Sequence, residues 1–112
     1  MSEPTTDTII STTSDVVTLI NVFTVDPARQ QELVDVLDAA TVEQISQVAG
    51  FVSANIHASL DGTKVTNYAQ WESWEHLEAM QADPASRAHM QAAAAIATFE
   101  PALYTVRSVH HR

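Results

Sequence analysis

A chain of 112 residues is about one domain long, which excludes separate cofactor and substrate modules. With 46% hydrophobic and 17% charged residues it has a globular composition, and no apolar run reaches the ~20 residues that a membrane span needs. Fourteen acidic side chains against five basic ones give a formal net charge of −9, which repels phosphate backbones and anionic lipid, so neither nucleic acid nor membrane is an expected partner.

Cysteine is absent, and with it disulfides, thiolate nucleophiles, iron–sulfur clusters and cysteine-based zinc sites. Residues 1–15, rich in Ser, Thr and Asp with one Ile9-Ile10 pair, read as a flexible tail. The tail has neither the basic start nor the long apolar stretch of a signal peptide, so a cytoplasmic location is expected. A single domain over residues 16–109 should follow.

From Val16 to Val25 the run VVTLINVFTV is β-branched and apolar on both parities, as in a strand covered on both faces. Asp26-Pro27 supplies an N-cap and a first-turn proline. Leu33, Val34, Leu37, Thr41, Ile45 and Val48 then recur at helical spacing until Ala49-Gly50. Two strand-like runs, Phe51–Leu60 and Thr63–Glu72, flank Asp61-Gly62, a dipeptide suited to a two-residue hairpin turn with positive φ at both positions. Ser73 and Asp83-Pro84 each open a helical stretch, Trp74–Met80 and Ala85–Ala97, and after Pro101 the run Ala102–Val109 reads as a last strand. Strand, helix, strand, strand, helix pair, strand is the order of an α+β, ferredoxin-like split βαβ sandwich.

A turn at Asp61-Gly62 opposes Ile56 to Asn67, Ala58 to Val65, Ala54 to Ala69 and Val52 to Trp71. All eight fall on one apolar face, while Phe51, Ser53, Asn55, His57, Thr66, Tyr68, Gln70 and Glu72 form a mostly polar one. Helices packed on the apolar face would leave a hollow over Ala54, Ala58 and Ala69, where side chains are small. Asn67 is the polar member of that face, and a buried amide needs either a backbone or a ligand partner. Trp71, Trp74, Met80 and Met90 fit core packing, His57 and Tyr68 belong to the polar face, and His76 reads as a surface residue. His89 sits on the alanine-rich helix expected to cover the hollow. Asn21 interrupts the first strand, for which an edge hydrogen bond is as good an explanation as chemistry. The carboxylates Glu32, Asp35, Asp38 and Glu43 fall off the apolar stripe of the first helix and form a solvated face. Two glycines in the whole chain leave no phosphate-binding loop, and neither a nucleophile elbow nor metal-spaced histidines are present.

The stretch AGFVSANIHASLDGTKVTNYAQWES, residues 49–73, resembles the antibiotic-biosynthesis monooxygenase family, and within it the cofactor-free anthrone oxygenases of aromatic polyketide pathways. With its flanking elements the resemblance spans residues 16–109. It implies a homodimer whose two sheets join into an α/β barrel, and oxidation of a small aromatic substrate, an anthrone or phenol, to a quinone. O₂ is then the co-substrate, with no cofactor and no metal. Carried over by position, Asn67 and Trp71 are the implied catalytic residues. Ala54, Ile56, Ala58, Ala69, Leu77 and His89 are the expected substrate lining. The sequence departs from the pattern where these oxygenases place a tyrosine and an arginine over the cleft: the nearest positions read Leu77 and Met90, and Arg87 is one helical position off. A second branch of the superfamily degrades haem, and Asn21 and His89 match two of its positions while Met80 replaces its tryptophan. A third reading, a non-enzymatic dimeric ligand-binding protein, needs only the fold.

Overall fold

The structure, a computed structural model, describes residues 7–112, so residues 1–6 of the expected tail lie outside it. The elements are β1 (Val17–Val25), α1 (Gln30–Glu43), β2 (Phe51–Ala58), β3 (Lys64–Trp71), α2 (Trp74–Ala82), α3 (Pro84–Ala94) and β4 (Ala97–Tyr104). They follow the expected order. The sheet runs β2-β3-β1-β4 with every neighbouring pair antiparallel, as a ferredoxin-like α+β fold requires.

Side-chain alternation along the strands builds the core against the helices. Phe23 and Val25 of β1, Val65 of β3, Leu33 and Leu37 of α1 and Ala93 of α3 form one cluster. Ala69 and Trp71 of β3 with Leu77 and Met80 of α2 form the other. Each fully buried large side chain, such as Phe23, Leu33 or Leu77, contributes about 1.5–3 kcal/mol by leaving water. On the sheet face opposite the helices, β2 and β3 receive part of the tail. Asn55 Oδ1 accepts from the Thr8 hydroxyl, and Gln70 Nε2 donates to the Ile9 carbonyl at 2.9 Å.

Asp26 caps the first helix as expected, accepting from the Ala28 N–H at 2.9 Å, but the helix does not run unbroken to Val48. A 3₁₀ turn at Pro27–Arg29 precedes α1, and another at Ile45–Gln47 follows it. The second turn keeps Ile45 and Val48 against the Trp71 cluster, which is why their helical spacing persists past the helix end.

The hairpin keeps the expected register at Ala54–Ala69, Ile56–Asn67 and Ala58–Val65. Its turn is longer than Asp61-Gly62. The strands end at Ala58 and Lys64, and only Gly62 is left-handed, with φ 84°. Asp61 organises this loop by accepting from the Thr63 N–H at 3.0 Å and from the Ser59 and Thr63 hydroxyls at 2.8 Å each. Those bonds, the Thr63 N–H first, hold its carboxyl down at about 2. At the other end a β-bulge between Phe51 and Ser53 pairs Phe51, not Val52, with Trp71. The expected faces of these two residues are therefore exchanged: Phe51 packs edge-on against Trp71 at 5.6 Å, and Val52 is 43% exposed.

The last elements are shifted relative to the sequence reading. α3 ends at Ala94, and β4 spans Ala97–Tyr104, not Ala102–Val109. Pro101 lies inside β4 opposite Asn21, which an edge strand tolerates because one side of it needs no N–H donor. Trp74 is 43% exposed rather than core, because it occupies the first position of α2. His76 is half-buried, its Nδ1 2.7 Å from the Ser73 hydroxyl that caps α2.

Gly50, at φ 87°, admits that histidine: a Cβ there would overlap the Cβ and ring of His76. Gly50→Ala should therefore cost about 1–3 kcal/mol through backbone strain and overlap combined. Urea unfolding should show His76→Ala recovering part of that loss, and an unchanged midpoint in Gly50→Ala would contradict the packing described.

Candidate active site

Between the sheet and the helices lies a cavity of about 380 Å³, within the size range of small-molecule sites. Its floor is the apolar face of three strands: Leu19, Asn21 and Phe23 of β1, Asn67, Ala69 and Trp71 of β3, and Phe99 and Pro101 of β4. Phe51 and Ala54 of β2 close one side. Helix α1 contributes Leu37, Ala40 and Thr41, α2 contributes Met80 and Gln81, and α3 contributes Ser86, Arg87, His89, Met90, Gln91 and Ala94.

Small side chains on both layers make the hollow. Ala54 and Ala69 below and Ala40 and Ala94 above leave space that leucines would fill. Rigid rings bound it, with Phe23 and Phe99 in contact at 5.6 Å and Trp71, 1% exposed, held edge-on by Phe51.

Two fully buried polar atoms in this wall have no partner. Asn21 and Asn67 are directly opposed across β1 and β3, and the Oδ1 of each is buried without a hydrogen bond. Both neighbours of β1 are paired strands, so Asn21 is not at an edge and the edge hydrogen bond considered from sequence does not exist. A buried carbonyl oxygen left unpaired costs about 1–3 kcal/mol, and two side by side facing a cavity form a receptor for the hydrogen-bond donors of a ligand.

Arg87 is the one charged side chain in the lining and makes no ion pair among the described residues. The cavity thus carries a local positive charge in a chain of net charge −9, a polarity that favours an anionic or acidic aromatic guest. No group of three or more metal-binding side chains exists among the described residues.

Of the residues expected from sequence, Asn67, Trp71, Ala54, Ala69 and His89 line the cavity, while Ile56, Ala58 and Leu77 do not. Ile56 lies further along β2, where it packs against the Phe23–Leu33 cluster and the space is filled. Ala58 is exposed at the strand end beside the turn. Leu77 is fully buried in the cluster of Ala69, Trp71 and Met80, where its side chain is taken up by packing. Sequence reasoning missed Phe51, hidden by the bulge, and Arg87, whose helical phase was unknown. The unpaired state of Asn21 depends on strand order, which the interruption of an apolar run only hints at.

A four-stranded antiparallel sheet in this order, roofed by helices over an apolar cavity with paired amides and a tryptophan, describes a small-molecule enzyme of the α+β class. Residues 16–92 match the family model of the antibiotic biosynthesis monooxygenases, and the chain belongs to that family. Tetracenomycin-F1 monooxygenase of Streptomyces glaucescens is 49% identical over 80 residues, 71% of each chain. Among solved structures, the ActVA-Orf6 monooxygenase of Streptomyces coelicolor in complex with nanaomycin D superposes with a TM-score of 0.77 at 35% identity, covering 86% of this chain and 91% of its own. SnoaB of Streptomyces nogalater, described as a cofactor-independent oxygenase, superposes at 0.75 with 27% identity, covering 86% of this chain and 97% of its own.

An apolar replacement of similar volume should remove the cost of an unpaired amide. Asn67→Leu is expected to raise the stability of the ligand-free protein by about 1–2 kcal/mol in thermal or urea unfolding. Loss of stability would instead mean that the amide is satisfied in the native state.

Proposed function

We propose that this protein is a cofactor-independent monooxygenase that oxidises an aromatic polyketide of anthrone or phenol type to a quinone with O₂, residues 16–109 forming the working unit. The observation that carries the reading is the pair of unpartnered amide oxygens, Asn21 and Asn67, beside Trp71 in an apolar cavity. A polyphenolic ring system offers what those atoms lack, hydroxyl donors on a flat apolar body. The relatives named above support the same substrate class.

The chemistry asks little of the protein because the substrate supplies all the electrons. Converting a methylene to a carbonyl is a four-electron oxidation, which matches the reduction of one O₂ to one inserted oxygen atom and one water. No external reductant is needed. The protein's tasks are to exclude water, hold the rings and favour the ionised form of the substrate. Trp71 and the rings around it give the platform. The Asn67 amide, turned to present its N–H₂, stabilises the oxyanion that develops when the substrate loses a proton, and its oxygen serves the neutral phenol before that. Asn67 and Trp71 stand four residues apart on one strand face, ~13 Å at ~3.3 Å per residue, a span that a tricyclic or larger ring system bridges. Arg87 adds a fixed positive charge toward the same anion.

Asn21 and His89 both line the cavity, which is the specific observation behind a haem-degrading alternative. A Soret band on haem titration that vanishes in His89→Ala would favour it.

We also propose a homodimer formed through the sheet face opposite the helices, where half-buried Ile20, Val22 and Tyr68 lie with no helix over them. Sedimentation should give about twice the 12.2 kDa chain mass, and a monomer at micromolar concentration would rule this out.

For catalysis, metal-chelated, colourless protein should consume O₂ with an anthrone. Asn67→Ala should lower kcat by about 10–1000-fold with a smaller change in KM, as expected when an interaction strengthens in the transition state. Trp71→Phe should chiefly raise KM, since it keeps a ring but loses area and the indole N–H. Wild-type activity in Asn67→Ala would remove the amide from the mechanism.

A further inference from the structure

The oxidation begins with a proton leaving carbon, and the reading above names no group to take it. Only two side chains in the cavity wall titrate, Arg87 and His89. A guanidinium does not give up its proton in a protein, and the remaining polar lining, Asn21, Asn67, Thr41, Ser86, Gln81 and Gln91, consists of amides and hydroxyls that are not bases near neutral pH. An imidazole is such a base, and its ordinary ionisation range lies close to physiological pH.

The histidines of the folded region differ in a way that singles out His89. His76 Nδ1 is engaged with Ser73 at 2.7 Å, and His57 Nδ1 lies 3.2 Å from the Asn55 carbonyl, outside the cavity. Neither ring nitrogen of His89 meets a protein partner among the described residues, although the residue is half-buried. A half-buried imidazole in a cavity wall with both nitrogens unengaged is free to meet a ligand.

Its surroundings leave it without a carboxylate. α3 packs on α1, α2 and β4. The acidic groups of those elements, Asp35, Asp38 and Glu43 of α1, Glu75 and Glu78 of α2 and Glu100 of β4, are all exposed and outside the lining, as is Glu32 in its pair with Arg29. Asp83, at the joint of α2 and α3, accepts from Gln44 Nε2 at 2.7 Å and from the Ser86 hydroxyl at 3.3 Å, and is likewise outside the lining. The one charged side chain that shares the cavity lining with His89 is therefore Arg87, and no carboxylate there competes for the imidazole nitrogens.

We infer that His89 is the general base of the reaction, removing the proton from the carbon that O₂ attacks and returning it to the peroxide formed there. The inference rests on the oxidation reading given above. In balanced form, a ring nitrogen of His89 takes one proton from the substrate methylene, and the electron pair of that C–H bond spreads into the ring system as an enolate-like anion. The anion passes one electron to O₂, and the resulting radical and superoxide combine to form the C–O bond. The imidazolium protonates the terminal peroxide oxygen, which regenerates the neutral base. Loss of the second proton from the same carbon breaks the O–O bond, leaving a carbonyl and one water. Arg87 and the Asn67 amide stabilise the anion between the two transfers.

The test uses the full-length protein with an anthrone, following O₂ uptake, and pairs His89→Gln with His89→Ala. The expected result is a fall of about 10²–10⁴-fold in kcat for both variants. Substrate affinity, read from quenching of tryptophan fluorescence, should stay within about threefold of wild type. The wild-type rate should fall on the acid side as an imidazole titrates, and that limb should disappear in His89→Gln. Added imidazole should restore rate to His89→Ala, in which the ring's space is vacant, and not to His89→Gln. A deuterated methylene should slow the variants more than the wild type, because proton removal becomes the limiting step. Turnover within threefold of wild type in His89→Gln, with the acid limb intact, would overturn the base assignment while leaving the oxidation standing. No O₂ uptake by the wild-type protein with any anthrone would overturn the oxidation reading, and this assignment with it.

Discussion

The arrangement depends on the antiparallel register of β1 between β3 and β4. That register sets Asn21 against Asn67, Leu19 against Ala69, and Val17 against Trp71. Because side chains alternate along a strand, a slip of β1 by one residue would send Asn21 to the opposite face of the sheet and part it from Asn67. Because β1 is paired on both sides, its backbone is fully engaged, and no vacant ladder position remains near Asn21 to satisfy its side chain. The two unpartnered buried oxygens in the cavity wall are a consequence of strand order.

The space above them follows from residue size. A sheet covered by helices ordinarily closes with interdigitated large side chains, and here Ala40, Ala54, Ala69 and Ala94 withhold that volume while Trp71, Phe23 and Phe99 keep the walls rigid. The molecule gives up packing and hydrogen bonding at its centre, a cost that binding sites commonly carry. Helix α3 brings both ionisable groups to the hollow. Its entry is fixed by Pro84 and by Asp83, which ties Gln44 after α1 to Ser86 within α3, so the angle of the helix over the sheet is set by polar contacts at one end.

Much of this was legible in the order of the residues. The hairpin register came out correctly even though the turn did not, because a two-residue turn at Asp61-Gly62 and the longer loop centred on it oppose the same residues. What failed was local or depended on a partner element. The bulge at Phe51–Ser53 exchanges two faces without altering the alternation that suggests them. Pro101 reads as a boundary, yet an edge strand accommodates it, and whether a strand is an edge is a property of the sheet. Ile56, Ala58 and Leu77 were placed in the cleft because they lie on or beside the right face. Where along that face the helices leave room depends on helix packing, and the same holds for the phase of α3, which sets the exposed Arg87 in the cavity lining. The family resemblance carried by Asn67 to Trp71 pointed to β3, and the geometry gathers His89, together with Asn21 and Arg87, which the sequence could not place, around the same cavity.

The account stands on the claim that O₂ itself, without an external electron donor, delivers one oxygen atom to a ring system held in this cavity. Single turnover of an anthrone under ¹⁸O₂ with metal-chelated protein measures that directly. The account predicts one O₂ consumed per quinone formed, with one labelled atom in the quinone, the other in water, and no hydrogen peroxide released. A quinone oxygen drawn from solvent, with hydrogen peroxide appearing in equal amount, would contradict it.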